Sequence, residues 1–290
     1  MTSSSELNQS DLHFSIFGQR IRIRCDDNAF RQLVLANYGA FRVPSGTEDL
    51  VYSVDRTERG DFRIDCGDET LADDVGDAAV EYVFLYLLEK QIALDLQKRR
   101  PDLYFVHASA LERRGRVSVI SAASGTGKST TAWALLRHGF RYLSDELAPI
   151  APDTFEVHPY PHALCLKATP PEPYPLPEGI ARTERTVHVP VSLLPGGAFP
   201  APAPLHALFF LRRDTPRSQP AFSRLSPAEA GARLYANTLN ALAHPGSGLT
   251  AAIAIGGAAP AFLIDVGELR ATCELITELE ERAGSITLDQ

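Results

Sequence analysis

Hydrophobic and polar positions alternate in short runs over the first part of the chain. His13-Phe-Ser-Ile-Phe17, Ile21-Arg-Ile-Arg24, Leu50-Val-Tyr-Ser-Val54 and Phe62-Arg-Ile-Asp65 have the period of two that half-buried strands require. Gly18-Gln19 and Arg59-Gly60 supply turns, Ala29 to Tyr38 has the spacing of a short helix, and the polar first dozen residues read as a frayed end. From Leu71 to Lys98 the period lengthens, with apolar residues at Ala79, Val80, Val83, Phe84, Leu87, Leu88, Ile92 and Leu96. That spacing predicts a long helix, stopped by Pro101 after the basic trio Lys98-Arg99-Arg100. Residues 1–100 are therefore expected to form a small β-rich N-terminal region ending in a long helix, and 101–290 a second unit.

The second unit reads as alternating strands and helices. Leu103-Tyr-Phe-Val-His107 is a strand that leads through Ala108-Ser-Ala to Leu111. The turn Arg113-Arg-Gly-Arg116 joins it to a buried strand, Val117-Ser-Val-Ile-Ser121. A hairpin or close strand pair there brings His107 toward whatever follows Ser121. Thr130 to His138 is helical, Gly139 stops it, and Phe140 to Leu143 is the next strand. Ala151 to Pro204 is rich in proline and expected to be a long lid-like or binding loop; Lys167, Arg182 and Arg185 within it suit either an acidic ligand or a solvated surface. Leu205 to Leu211 is a strongly apolar strand ending at Arg212-Arg213. Ser226-Pro-Ala-Glu229 is a capping box opening a helix to about Leu242; Gly246 to Gly257 looks small, apolar and flexible; Ala261 to Asp265 is a last strand and Glu268 to Arg282 a closing helix, with a polar tail beyond.

Composition narrows the function classes. The chain has 290 residues and a formal net charge of −8, opposite to the basic footprint of a nucleic-acid surface. No run approaches the roughly 18 apolar residues of a membrane span, and the start lacks the basic and apolar regions of a signal peptide, which points to a cytoplasmic protein. Cys25, Cys66, Cys165 and Cys273 are scattered without metal-ligand spacing, and are expected to be reduced and structural.

The chemistry concentrates between Val117 and Ile150. Ser124-Gly-Thr-Gly-Lys-Ser129 is the working part of a phosphate-binding loop, in which backbone N–H groups surround an anion. Lys128 supplies a point charge for the outer phosphates, Ser129 a hydroxyl for Mg2+, and the helix opening through Thr130 points its positive end at the phosphates. The first Gly of the usual GxxxxGK[ST] pattern is here Ala122, which any backbone conformation without positive φ accommodates. The nucleotide-binding residues are then Ser124, Gly125, Thr126, Gly127, Lys128, Ser129 and Thr130. Strand Phe140–Leu143 ends at Ser144-Asp145-Glu146, where one acid can hold a metal while the other accepts a proton. Either arginine of Arg212-Arg213 could stabilise a transferring phosphate.

With these residues assembled, the chain resembles the HPr kinase/phosphorylase-like kinases, whose nucleotide-binding core is shared with phosphoenolpyruvate carboxykinases. The resemblance rests on His107, the SGTGKS loop at 124–129, the following helix with Gly139, and Ser144-Asp145-Glu146. It implies an α/β P-loop core and a general base at Asp145. It also implies Mg2+ held by Ser129, Glu146 and Asp145, a His at position 107 beside the reacting phosphate, and by spacing an Arg at 212. Glu146 stands where Asp is usual in HPr kinases, and no EIRG-type signature of their phosphorylase activity is present. The chain looks more like the short relatives associated with peptide modification, including lasso-peptide precursor kinases.

The expectation is an ATP- and Mg2+-dependent kinase whose acceptor is a Ser or Thr hydroxyl of a peptide or small protein. Catalysis is assigned to Asp145, His107, Lys128 and Arg212. Two rivals stay open: a kinase of a free metabolite such as an amino acid, and a nucleotide-binding regulatory protein without turnover. No nucleic acid and no membrane partner is expected; the donor, the acceptor and a homo-oligomeric state stay open.

Overall fold

The computed structural model describes residues 11–58, 61–72, 79–215 and 217–283. The expected turn at Arg59-Gly60, residues 73–78 of the helix expected from Leu71, and the polar tail lie outside the described residues, as does most of the polar start. The chain is a mixed α/β protein.

The N-terminal sheet has five strands in sequence order, Asp11–Ile16, Gln19–Cys25, Leu50–Arg56, Phe62–Cys66 and Glu69–Ala72. Its first hairpin turns at Phe17-Gly18, one residue earlier than the sequence suggests, with both residues at positive φ as a two-residue turn of this hand demands. Helix Asn28–Tyr38, capped by Asp27, carries the chain across to the parallel partner of Gln19–Cys25. Strand Glu69–Ala72 pairs with Phe62–Cys66 and takes in Leu71 and Ala72, where the helix was expected to open; the long helix occupies Val80–Arg99. The basic trio that ends it is taken up locally: Lys98 by Asp95, Arg99 by Gln19 and the Asp49 carbonyl, Arg100 by Asp102 and the Phe17 carbonyl. Leu103, Phe105, Leu147 and Tyr160, from beyond Pro101, are part of the same apolar cluster as this sheet and its helices.

The second sheet has nine strands. Its main path runs Tyr104–Val106, Ala148–Ile150, Glu156–Val157, Ala203–Arg212, Arg116–Ala122, Ser109–Arg113 and Arg141–Ser144, with Ala261–Asp265 and Ala221–Leu225 attached beside Ala203–Arg212. Ala203–Arg212 is buried along almost its whole length, because helices cover both faces. Ala207, Phe209 and Leu211 point to helices Lys128–Leu135 and Leu269–Ala283; Leu208 and Phe210 point to helices Pro227–Ala236 and Leu249–Ala258.

Helix Leu249–Ala258 is a correction to the expected flexible stretch at 246–257. A Cβ on Gly256 would lie 2.5 Å from the Gly231 nitrogen, and one on Gly231 would lie 2.8 Å from the Ile253 Cα. Backbone-to-backbone packing thus overrides the poor helix propensity of glycine. The preceding helix ends at Ala236 rather than near Leu242, because the next residues leave to bond the strand at 104–106: Asn237 and Phe105 carbonyls accept from His107 and Leu239 N–H groups.

The strand order has a consequence for the site. Tyr104–Val106 and Ser109–Arg113 stand far apart in hydrogen-bond order, yet only His107 and Ala108 separate them in sequence. Arg141–Ser144 and Ala148–Ile150 are likewise far apart in order and joined only by Asp145-Glu146-Leu147. Since an extended chain spans about 3.5 Å per residue, Ser144 and Ala148 lie within about 14 Å of each other. The sheet therefore curls back on itself, and the two short links close its seam side by side.

Candidate functional site

The seam lies beside the C-terminal ends of strands Arg116–Ala122, Ala203–Arg212 and Ala261–Asp265, which run parallel to one another, and of Arg141–Ser144, which runs the same way. Ligands of open α/β sheets bind at such ends. Between Ala122 and the helix starting at Lys128, Gly125 and Gly127 have φ values of 83° and 110°, which L side chains adopt only under strain. Thr126 N–H donates to the Ala123 carbonyl at 3.1 Å, closing the turn. Ala122 is the last residue of its strand, buried and without positive φ, so alanine fits where the motif usually has glycine. Ser124 and Gly125 are exposed; Ser129 and Thr130 are half-buried in the first turn of the helix, whose leading N–H groups have no carbonyl partner within the helix.

The link at 145–147 faces this loop, and His107 of the other link reaches it through Glu146. Lys128 is buried, and its Nζ donates to the Asp145 carbonyl and lies 3.3 Å from Asp145 Oδ1 and 4.0 Å from Glu146 Oε1. Asp145 is fully buried; Ser109 Oγ donates to its Oδ1 at 2.5 Å, and its Oδ2 has no hydrogen-bond partner. Glu146, at 43 % side-chain exposure, is the open member of the pair, and its Oε2 is 3.0 Å from His107 Nε2. The two adjacent acids therefore differ in role by environment: one enclosed and held by Ser109 and Lys128, the other facing solvent beside His107.

Charge at the site is mutually stabilised. Burial alone would raise the Glu146 carboxyl, but Lys128 and the His107 bond more than offset it and hold it well below the ordinary carboxylate range. For Lys128, burial lowers the affinity for its proton, and Asp145 and Glu146 reverse that, keeping the ammonium charged.

Other cations approach the loop. Arg213 donates to the Thr126 carbonyl from Nε and Nη2, each at 3.3 Å. Arg212, singled out from spacing, instead pairs with Asp265 at 2.6 Å and Asp214 at 3.0 Å. Arg212 is the last strand residue, in register with Asp265, and Arg213 beyond it reaches the loop. Of the two arginines that the sequence leaves open, Arg213 is the one that reaches the loop, and Arg212, implied by the resemblance, is held by Asp265 and Asp214. Lys167 reaches Ser124 Oγ at 3.0 Å, so the proline-rich segment comes to the phosphate loop; Arg185 instead lies over the Tyr82 ring, and Arg182 is exposed on a short strand. That segment holds a small sheet, Leu164–Leu166, Val187–Val189 and Ala181–Arg182, packed against the helix of the phosphate loop. Ser109 was missed. It opens its own strand after the His107-Ala108 link, and nothing local in the sequence places it beside Asp145.

A second buried polar cluster lies close by. His162 bonds Glu89 at 2.9 Å through Nε2 and the Ala163 carbonyl at 3.0 Å through Nδ1. Burial lowers its pKa, but Glu89 more than compensates, leaving it raised. His188 is 2.8 Å from Asn37 Oδ1 and 2.7 Å from Thr186 Oγ1, and burial pushes it down to about 4. Cys165 Sγ lies 3.1 Å from His188 Nδ1, yet burial raises its thiol well above the ordinary value, unlike a reactive cysteine. The four cysteines are free.

The donor set suits Mg2+. Ser129 and Glu146 offer hard oxygen atoms, and Mg2+ takes one or two carboxylates while keeping waters or phosphate oxygens; Asp145, also expected to hold the metal, has its Oδ1 taken by Ser109. Among the described residues no group of three His, Cys, Asp or Glu side chains forms a metal cluster, and no helix is long and apolar enough to cross a membrane.

No protein-family profile matches the sequence, and no curated protein is similar to it. Sixty-three solved chains do match. One is the HPr(Ser) kinase/phosphatase from Coxiella burnetii, with 14 % identity, coverage of 61 % of this chain and 88 % of that one, and a TM-score of 0.34. A likeness at that level carries no argument, and the functional reading rests on the site.

Proposed function

We propose that this protein is an ATP-dependent kinase that transfers a phosphoryl group to a hydroxyl, and that the acceptor is a Ser or Thr of a peptide or small protein. The observation that carries the reading is the meeting of a phosphate loop with two adjacent carboxylates of unlike environment, Asp145 enclosed against Lys128 and Glu146 open beside His107. One acid beside the loop would serve the metal of a protein that only binds nucleotide; the second, Asp145, is the group that a transfer reaction uses as base.

The loop N–H groups and Lys128 hold the donor phosphates, with Arg213 and Lys167 as flanking cations. Asp145 takes the proton of the acceptor hydroxyl as its oxygen bonds to the γ-phosphorus. The bond from that phosphorus to the bridging oxygen breaks, and ADP leaves with the electron pair. Because Asp145 is buried against Lys128, the Lys128 side chain turns to the phosphates before a hydroxyl reaches the acid, so donor binding precedes acceptor binding. His107 orients Glu146. Mg2+, when bound, would be held by Ser129 and Glu146 and would neutralise phosphate charge. The net charge of −8 argues against a nucleic-acid partner.

The test is mass spectrometry of Ser- and Thr-containing peptides and of free hydroxy amino acids after incubation with the protein, Mg2+ and ATP. One added phosphate on a peptide is the expected result. Phosphate on a free amino acid would replace the acceptor class, and nucleotide binding with no transfer to any acceptor would overturn the kinase reading.

A further inference from the structure

We propose that Ser109 is a positioning residue that fixes the Asp145 carboxylate for proton transfer, a role that rests on the kinase reading above. Asp145 Oδ1 receives Ser109 Oγ at 2.5 Å, while the same hydroxyl is 3.4 Å from the Asp145 carbonyl, so its single proton goes to the carboxylate. Lys128 is the other donor near Oδ1, at 3.3 Å. The duties of Lys128 conflict: whatever it gives to a donor phosphate it withdraws from Asp145. Ser109 has no such conflict. It is fully buried, and its strand lies between the phosphate-loop strand and the strand that delivers Asp145, with Ser109 opposite Ile120 and Ala110 opposite Ser144.

That placement makes the hydroxyl a fixed reference carried on a rigid element, which holds a reacting group more closely than a loop does. With Oδ1 held, Oδ2 is left as the oxygen without a partner, available to the incoming hydroxyl. An unpartnered buried carboxylate oxygen is costly, and this one lies on the carboxylate beside Lys128, where a ligand atom could complete it. Ser109 touches no reacting atom in this scheme and acts through Asp145.

The experiment compares wild type, Ser109→Ala and Ser109→Thr in steady-state phosphoryl transfer, with Mg2+–ATP affinity measured by calorimetry on the same preparations. Ser109→Ala is expected to lose about 10–100-fold in kcat, the fold-change of one hydrogen bond to a charged group, with KM for ATP and nucleotide affinity changed by less than about threefold. Ser109→Thr, which keeps the hydroxyl and suits a strand, is expected to restore most of the rate. A folded Ser109→Ala protein with wild-type kcat overturns the role. So does a fall in kcat and nucleotide affinity by the same factor, which is the mark of a general loss of structure. If Ser109→Ala does not fold, a folded Ser109→Thr protein that has lost its rate overturns the proposal, and one that retains it supports it. A wild-type protein without transfer to any acceptor removes the kinase reading and this role together, whereas transfer by wild type equalled by Ser109→Ala removes this role alone.

Discussion

The cluster around His162 and His188 and the cluster around Asp145 both bury polar and charged groups between strands, but they are completed differently. Both ring nitrogens of His162 and of His188 have partners within the chain, and Glu89 lies 2.9 Å from His162. At the seam, Asp145 Oδ2 has none, Lys128 divides itself among a carbonyl and two carboxylates, and Glu146 stands half in solvent. The first arrangement is self-sufficient and ties helices Asn28–Tyr38 and Val80–Arg99 to the proline-rich segment. The second is finished only by a ligand. A buried network that closes on itself reads as structure, and one left open at a phosphate loop reads as chemistry.

The largest effect that could break this contrast comes from Lys128→Ala. It removes the charge facing the phosphates and leaves Asp145 buried without its cation. Transfer is expected to fall below detection, Mg2+–ATP affinity about 10–100-fold, and stability by about 3–5 kcal/mol. Calorimetric titration and urea unfolding check these. Unchanged affinity would mean that Lys128 serves the fold alone, as the histidine cluster does.

A smaller effect sharpens the other side. The folded-state pKa of His188 is depressed to about 4, so between that value and its unfolded value the unfolded chain binds more protons. Its contribution is therefore present above about pH 6.5 and is lost as pH falls toward 4, at most roughly 2–3 kcal/mol. His162 has the opposite sign: its raised pKa gives stability that is complete below its unfolded value and is lost as pH rises through the folded one. Urea unfolding across pH 4–8 should show a maximum between these limits. His188→Gln should flatten the acid side without altering nucleotide affinity. An acid slope that survives the substitution would assign it to other groups; Glu146, depressed to about 2, loses its contribution only below about pH 4.5.

What was legible in the sequence follows from how local each requirement is. The turn at 125–127 and the helix opening at Lys128 could be read because the glycines, the lysine and the helix start are neighbours in the chain. The alternation at 13–24 and 50–65 gave the N-terminal sheet, and the capping box at Ser226 opened its helix at the expected residue. The seam could not be read. Its closure depends on strands that are close in sequence lying far apart in the sheet, and Ser109 has a role only once that closure brings Asp145 to it. Helix Leu249–Ala258 was hidden because its glycines signal flexibility alone but serve close packing in contact with Gly231. Arg212 and Arg213 differ by one position at a strand end, where a single step in register decides which side chain reaches the loop.

The central claim is that Asp145 serves the reaction and Lys128 the phosphates. Mg2+–ATP affinity and single-turnover transfer, measured side by side for wild type and Asp145→Asn, test it most directly. Loss of the carboxylate charge frees Lys128 without removing it, so affinity should stay within about threefold of wild type or rise, while the rate of transfer falls by about 10²–10⁴-fold. Retained turnover, or affinity weakened in proportion to the rate, would contradict the account.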